Sequence, residues 1–147
     1  MHPVAYQFDV AAPGSGGRDW DANWLLIQGE VGTADHRQWV FLDPCLTTWE
    51  ARDLGAWLRE AATGNVQPGR RSLVFTEPNL AFCVEEHDGG RASVRIRFAH
   101  EALPAWMPRD HPHWQAGEYV LVLELAGRDL AQAADTWDRE CMPFPER

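Results

Sequence analysis

The chain has 147 residues, 45% hydrophobic and 24% charged, which is typical of one globular domain spanning 1–147. The formal net charge is −9 and all 13 basic residues are arginines. This composition excludes lysine-based catalysis and disfavours binding to nucleic acid or to an anionic membrane surface. The three cysteines form no Cys-x-x-Cys motif, and the chain shows neither a signal sequence nor a long apolar run. We therefore predict reduced thiols and a cytoplasmic location.

The first part of the chain predicts three strands. Apolar residues alternate over 4–10, before a glycine-rich loop at 11–19. Two further strands are predicted at 23–31 and 38–43. Gly29 indicates a bulge or a close backbone approach, and Pro44 is expected to end the third strand.

The first helix is predicted over 47–62. Thr47 and Glu50 have the spacing of a capping box, in which each side chain accepts a backbone N–H of the other residue. An apolar stripe follows at helical spacing, and Gly64 is suited to end the helix.

The second half predicts four strands, a long ordered loop and a closing helix. The strands are expected at 73–75, 80–84, 93–98 and 118–125, the loop at 100–117 and the helix at 129–141. Asp129 is predicted as the N-cap of that helix, with Gln132 completing a capping box. No β-α-β alternation is present, so we predict an α+β fold, with a mostly antiparallel sheet of six or seven strands and two packed helices.

Tryptophan is abundant, with eight residues in the chain. Four of them lie in periodic apolar segments and are predicted to be core residues, namely Trp24, Trp39, Trp57 and Trp137. Three lie in predicted loops, where a tryptophan either covers the core or anchors a partner: Trp20, Trp106 and Trp114.

Candidate sites of catalysis or ligand binding are few. Asp110, His111 and His113 offer zinc-type ligands, but alternating side chains in a loop point in different directions, so no metal is expected. The glycine-rich loop lacks the lysine and the following helix of a phosphate-binding loop. Three histidines near turns could act as acid or base, namely His36, His87 and His100. No nucleophile motif accompanies them, so neither catalytic residues nor a cofactor is predicted.

Several short stretches, taken in order, resemble one known family. They are Asp21-Ala22-Asn23-Trp24-Leu25, then Asp43-Pro44-Cys45-Leu46-Thr47-Thr48-Trp49-Glu50, then Glu77-Pro78-Asn79-Leu80-Ala81-Phe82, and a final Phe144-Pro145-x-Arg147. Together they make residues 20–147 similar to the WapI-type immunity proteins, which protect bacteria from their own contact-dependent toxins. The resemblance implies a cytoplasmic, non-enzymatic protein that binds a toxin domain, and such toxins include nucleases acting on tRNA.

An acidic inhibitor suits a nuclease, because carboxylates can occupy sites built for phosphates. Residues 19–60 and 110–147 each carry eight acids and three arginines. We predict that a basic toxin domain binds the acidic side chains of the closing helix, namely Asp129, Asp135, Asp138 and Glu140. The alternative is a small enzyme or ligand-binding domain with an acid–base pair in a cleft, and a toxin gene immediately upstream would favour the immunity protein.

Overall fold

The computed structural model describes residues 1–8, 19–87, 90–107 and 117–147. Within these ranges the chain forms seven strands and two α-helices. They are β1 (His2–Tyr6), β2 (Trp24–Gly32), β3 (Gln38–Thr47), α1 (Thr48–Ala62), β4 (Ser72–Val74), β5 (Leu80–His87), β6 (Arg91–Phe98), β7 (Tyr119–Ala126) and α2 (Gly127–Cys141). All strand pairs are antiparallel, so the predicted α+β class is confirmed. Neither helix has the length and apolarity that a membrane crossing requires.

The strands form two sheets rather than a single one. The N-terminal sheet has the order β1-β2-β3 and the C-terminal sheet the order β4-β5-β6-β7. Helix α1 connects the two sheets and packs against α2. Alternating hydrophobicity shows that a segment is a strand, but it does not show which strands pair.

One continuous core joins the sheets and the helices. Its fully buried members come from both sheets and both helices, and include Leu25, Ile27, Leu54, Trp57, Leu80 and Leu130. The ring of Trp57 on α1 makes an edge contact with Phe82 on β5. Three of the four tryptophans predicted in the core are buried, namely Trp39, Trp57 and Trp137, whereas Trp24 is half-buried.

The predicted limits of the first and third strands need correction. Strand β1 ends at Tyr6, and Gln7 and Phe8 lie beyond it, so the strand predicted over 4–10 is too long at this end. Residues 9–18 lie outside the described residues. Strand β3 continues through Pro44 to Thr47. Pro44 pairs with Leu26, next to a shift in register between β2 and β3. Proline lacks an N–H, and an irregularity in the ladder is one of the positions where a strand tolerates it.

The start of α2 also differs from the prediction. The helix begins at Gly127, and Asp129 is its third residue rather than its N-cap. Its carboxylate accepts a hydrogen bond of 3.1 Å from the backbone N–H of Ala126. Ala126 has no side-chain acceptor, so only half of a reciprocal capping pair is present. By contrast, Thr47 and Glu50 form the complete capping box predicted for α1.

Gly29 allows a close approach between the backbone of β2 and a neighbouring side chain, as predicted for a glycine inside a strand. It lies opposite Phe41 in the β2–β3 ladder. A Cβ atom at this position would overlap the phenyl ring of Phe41, which covers the glycine. The register shift of β2 lies elsewhere, between Leu25 and Leu26.

An aromatic cluster joins β3 to the C-terminal sheet. The ring of Trp39 contacts Phe98, Trp106 and Tyr119 edge to face, with centroids 5.2–5.4 Å apart. Its indole Nε1 donates to the carbonyl of Ala102, at 3.0 Å. Of the loop predicted at 100–117, residues 100–102 form a 3-10 turn, and residues 108–116 lie outside the described part of the chain.

Candidate partner-binding surfaces

The four acidic residues predicted to bind a partner share α2 but differ in their surroundings. The inner stripe of α2 is formed by Leu130, Ala134 and Trp137. The indole Nε1 of Trp137 donates to the carbonyl of Ala51 on α1, at 2.7 Å, and this bond fixes the rotation of α2 about its axis.

Two of the four acids have contacts within the chain. Asp129 accepts the backbone hydrogen bond at the start of the helix. Asp138 forms an ion pair with Arg59 on α1. A Cβ atom on Gly55 would collide with the Asp138 carboxylate, so the glycine leaves room for that carboxylate at the crossing of the helices. Asp138 therefore belongs to the helix–helix interface.

The other two acids face solvent. Asp135 and Glu140 are exposed, and within the described part of the chain neither forms an ion pair or a hydrogen bond. The predicted acidic face is thereby reduced to two freely available carboxylates.

A second concentration of negative charge forms where three distant segments meet. We call Asp43, Glu77 and Glu101 the β3 acidic cluster. Burial raises the pKa of Asp43, and the carboxylates of Glu101 and Glu77 raise it further. A hydrogen bond donated by the amide of Asn79 acts in the opposite direction. No residue of this cluster was predicted as a binding residue, because only the fold brings the three segments together.

Two kinds of candidate site, the thiols and the groups of possible metal ligands, can be placed in the described part of the chain. All three cysteines are free. Burial, reinforced by Asp43, raises the pKa of the Cys45 thiol to about 12, so this sulfur is protonated and unreactive at neutral pH. Among the described residues, no group of three or more His, Cys, Asp or Glu side chains is arranged to hold a metal ion. The Asp110–His113 segment lies outside the described residues, as do residues 11–18 of the glycine-rich loop.

A comparison with models of protein families shows to which family this chain belongs. The model of the immunity protein WapI-like family matches residues 1–145. The chain belongs to the WapI-like immunity protein family. The match starts earlier than the resemblance at 20–147 predicts and therefore includes β1. No curated protein and no solved structure matches the chain.

The stretches that carry the family resemblance are joined to one another by hydrogen bonds. Asn23 is fully buried and directly precedes β2. Its Oδ1 accepts from the Thr48 hydroxyl at 2.8 Å and from the backbone N–H of Arg147 at 3.0 Å. Its Nδ2 donates to the carbonyls of Asp19 and Arg147, at 2.8 and 3.0 Å. The side-chain amide of Asn23 thus joins three of the four stretches by hydrogen bonds.

The fourth stretch is attached in the same way, through the bond from Asn79 to Asp43. These WapI-like residues join separate segments of the fold, and half of them are buried. Residues that recognise a partner are accordingly expected on the remaining surface.

Proposed function

We propose that this chain is a cytoplasmic, non-enzymatic immunity protein that binds a cognate toxin domain and neutralises it. The match of the WapI-like family model to residues 1–145 carries this proposal. The interior is occupied by a packed core and by the structural hydrogen bonds of Asn23 and Asn79. The surface is therefore where the protein acts.

The toxin domain that we propose as partner is basic, and a nuclease is the toxin class that fits best. A nuclease concentrates positive charge to hold phosphates, and a chain with a net charge of −9 complements it. Asp135 and Glu140 offer carboxylates that require no ion pair to be broken first. The β3 acidic cluster offers a second such surface.

Coexpression tests this function directly. If a toxin gene lies immediately upstream of this chain's gene, its C-terminal toxin domain would be induced in a bacterial host with and without the chain. We expect growth arrest by the toxin alone, rescue by the chain, and a stable complex of the two purified proteins. Growth arrest that persists although the chain is expressed and folded would refute the proposal.

The acidic face of α2 is tested by association kinetics. We expect the association rate to fall steeply between low salt and about 0.5 M salt, because screening shortens the range of electrostatic attraction. Reversing Asp135 and Glu140 to arginine should slow association about tenfold at low salt. The control is Asp21→Arg, which reverses one exposed acid outside α2.

Asp138 is omitted from this test because its reversal would oppose Arg59 across the helix interface. If the double variant associates at the wild-type rate while the wild type remains salt-sensitive, α2 is the wrong face. The β3 acidic cluster would then be tested by the same reversal of Glu77 and Glu101.

A further inference from the structure

Strand β7 is a long, regular strand at the edge of the C-terminal sheet. It pairs with β6 over eight consecutive residue pairs without a shift in register. Within the described part of the chain, its other edge has no strand partner. Every second residue of such a strand directs its N–H and C=O groups away from the sheet, where they can pair with another chain.

The other edge strands of the two sheets are protected. Strand β4 has only three residues, and β1 contains a shift in register. Strand β3 contains Pro44, and its Trp39 is bonded to the segment around Ala102. Shortness, irregularity and cover are common means by which proteins prevent edge pairing. Strand β7 has none of these within the described residues.

Beside β7 lies an apolar cleft of about 260 Å³ between the two sheets. Leu121 and Leu123 of β7 line one side, and Val31 and Phe41 line the other. Glu30 pairs with the exposed Val40, so its side chain lies on the opposite face of β2 from Val31 and Phe41. The side chains of an additional strand on β7 would therefore meet an apolar cleft.

We propose that β7 receives an extended segment of the toxin domain as an additional strand of the C-terminal sheet. Apolar side chains of that segment enter the cleft. Backbone hydrogen bonds supply affinity in this mode of recognition, and the cleft supplies specificity. This inference rests on the proposed function.

The net charge favours a basic partner over a second copy of this chain. On the outer face of β7, Val120 and Val122 are about half exposed, and Glu118 forms an ion pair with Arg97 on β6. A second copy would bring a further net charge of −9 to the same edge. Two chains of like net charge repel each other, whereas a basic toxin domain is attracted.

Hydrogen exchange of the complex tests the proposal. The probe is the purified upstream-encoded toxin domain, compared with this chain alone at the same concentration. We expect amides in 119–126 to become protected on binding and amides in 72–74, on the opposite edge of the same sheet, to remain unchanged. Val122→Lys should weaken binding at least about tenfold, because it places a like charge beside a basic segment.

The matched control is Val74→Lys, the same change at an outward valine on β4, which should bind like the wild type. Unchanged unfolding midpoints exclude misfolding of the variants. A complex that forms without protection in 119–126 would overturn this proposal alone. The absence of any complex would overturn the proposed function and this inference with it. Protection in a toxin-free dimer would identify a second copy as the occupant and overturn the proposal as well.

Discussion

Asn23 shows how one buried amide can define the arrangement of several segments. It uses both its donor and its acceptor atoms on a hydroxyl and on the backbone of residues distant in sequence. A buried polar group is tolerated only when its hydrogen bonds are satisfied, so any change here leaves partners unpaired.

Replacing Asn23 with alanine is expected to lower the free energy of unfolding by about 3 kcal/mol, because several buried hydrogen bonds are lost together. Chemical denaturation would measure the change. The control is Asn65→Ala at an exposed position, which should change stability by less than about 0.5 kcal/mol. Equal effects of the two substitutions would contradict a structural role for Asn23.

As the pH rises, two aspartates are expected to change the free energy of unfolding in opposite directions. Burial and nearby carboxylates raise the pKa of Asp43, so the folded protein binds that proton more tightly and loses stability as pH rises through this range. Hydrogen bonds from Arg37 and Thr33 lower the pKa of Asp35 to about 2. Its contribution is present above about pH 4 and is lost as pH falls towards 2.

At neutral pH, Asp43→Asn should therefore stabilise the fold and Asp35→Asn should destabilise it. Asparagine at position 43 still accepts the hydrogen bond from Asn79. Thermal unfolding of both variants between pH 3 and pH 7 tests the signs. A loss of stability in Asp43→Asn at neutral pH would show that the negative charge at position 43 stabilises the fold.

At the scale of elements, one of the two predicted interactions between neighbours in sequence is confirmed, whereas pairings between distant segments were not predictable. The capping box of Thr47 and Glu50 follows from residues three positions apart, but that of Asp129 and Gln132 is wrong because α2 begins two residues before Asp129. The division into two sheets depends on which strands meet, and the β3 acidic cluster depends on three separate segments. Pro44 was misinterpreted because the pairing of β3 with β2, not the proline itself, determines where the strand ends.

The crossing of α1 and α2 depends on Gly55. A Cβ atom there would collide with the Asp138 carboxylate and lie 3.3 Å from Cδ1 of Trp137. Alanine normally improves a helix by about 1 kcal/mol relative to glycine. Here the Asp138 carboxylate can turn aside, but Trp137 is buried and held by its hydrogen bond to Ala51. Overpacking against such a side chain typically costs about 1–3 kcal/mol, so we expect Gly55→Ala to be destabilising.

A double-mutant cycle identifies the cause. In an Asp138→Ala background, Gly55→Ala should cost less than in the wild type, since one of the two obstructing side chains is gone. Urea denaturation of the four proteins measures the difference. Strictly additive effects would show that the Asp138 carboxylate does not limit the approach of the helices.

At the scale of the whole molecule, the thiols report on folding. Cys45 is buried, with a pKa raised to about 12, and burial also raises the pKa of Cys141 to about 11. Only the thiolate reacts rapidly with disulfide reagents. We expect three thiols to react in the unfolded, unreduced protein, and Cys45 to react in the native protein only as fast as the fold opens. A single reactive thiol after unfolding would reveal a disulfide and contradict a reducing compartment.

The contacts of Trp39 allow the junction between the two sheets to be followed by circular dichroism. Its indole lies edge to face with Trp106, and Tyr119, the first residue of β7, touches the same ring. Aromatic rings held in one fixed asymmetric arrangement produce near-ultraviolet circular dichroism, which vanishes when tertiary packing loosens. A strand added next to Tyr119 would shift this arrangement slightly and alter the ellipticity. The protein therefore contains an intrinsic optical label beside its open edge, and binding there can be followed without attaching a dye.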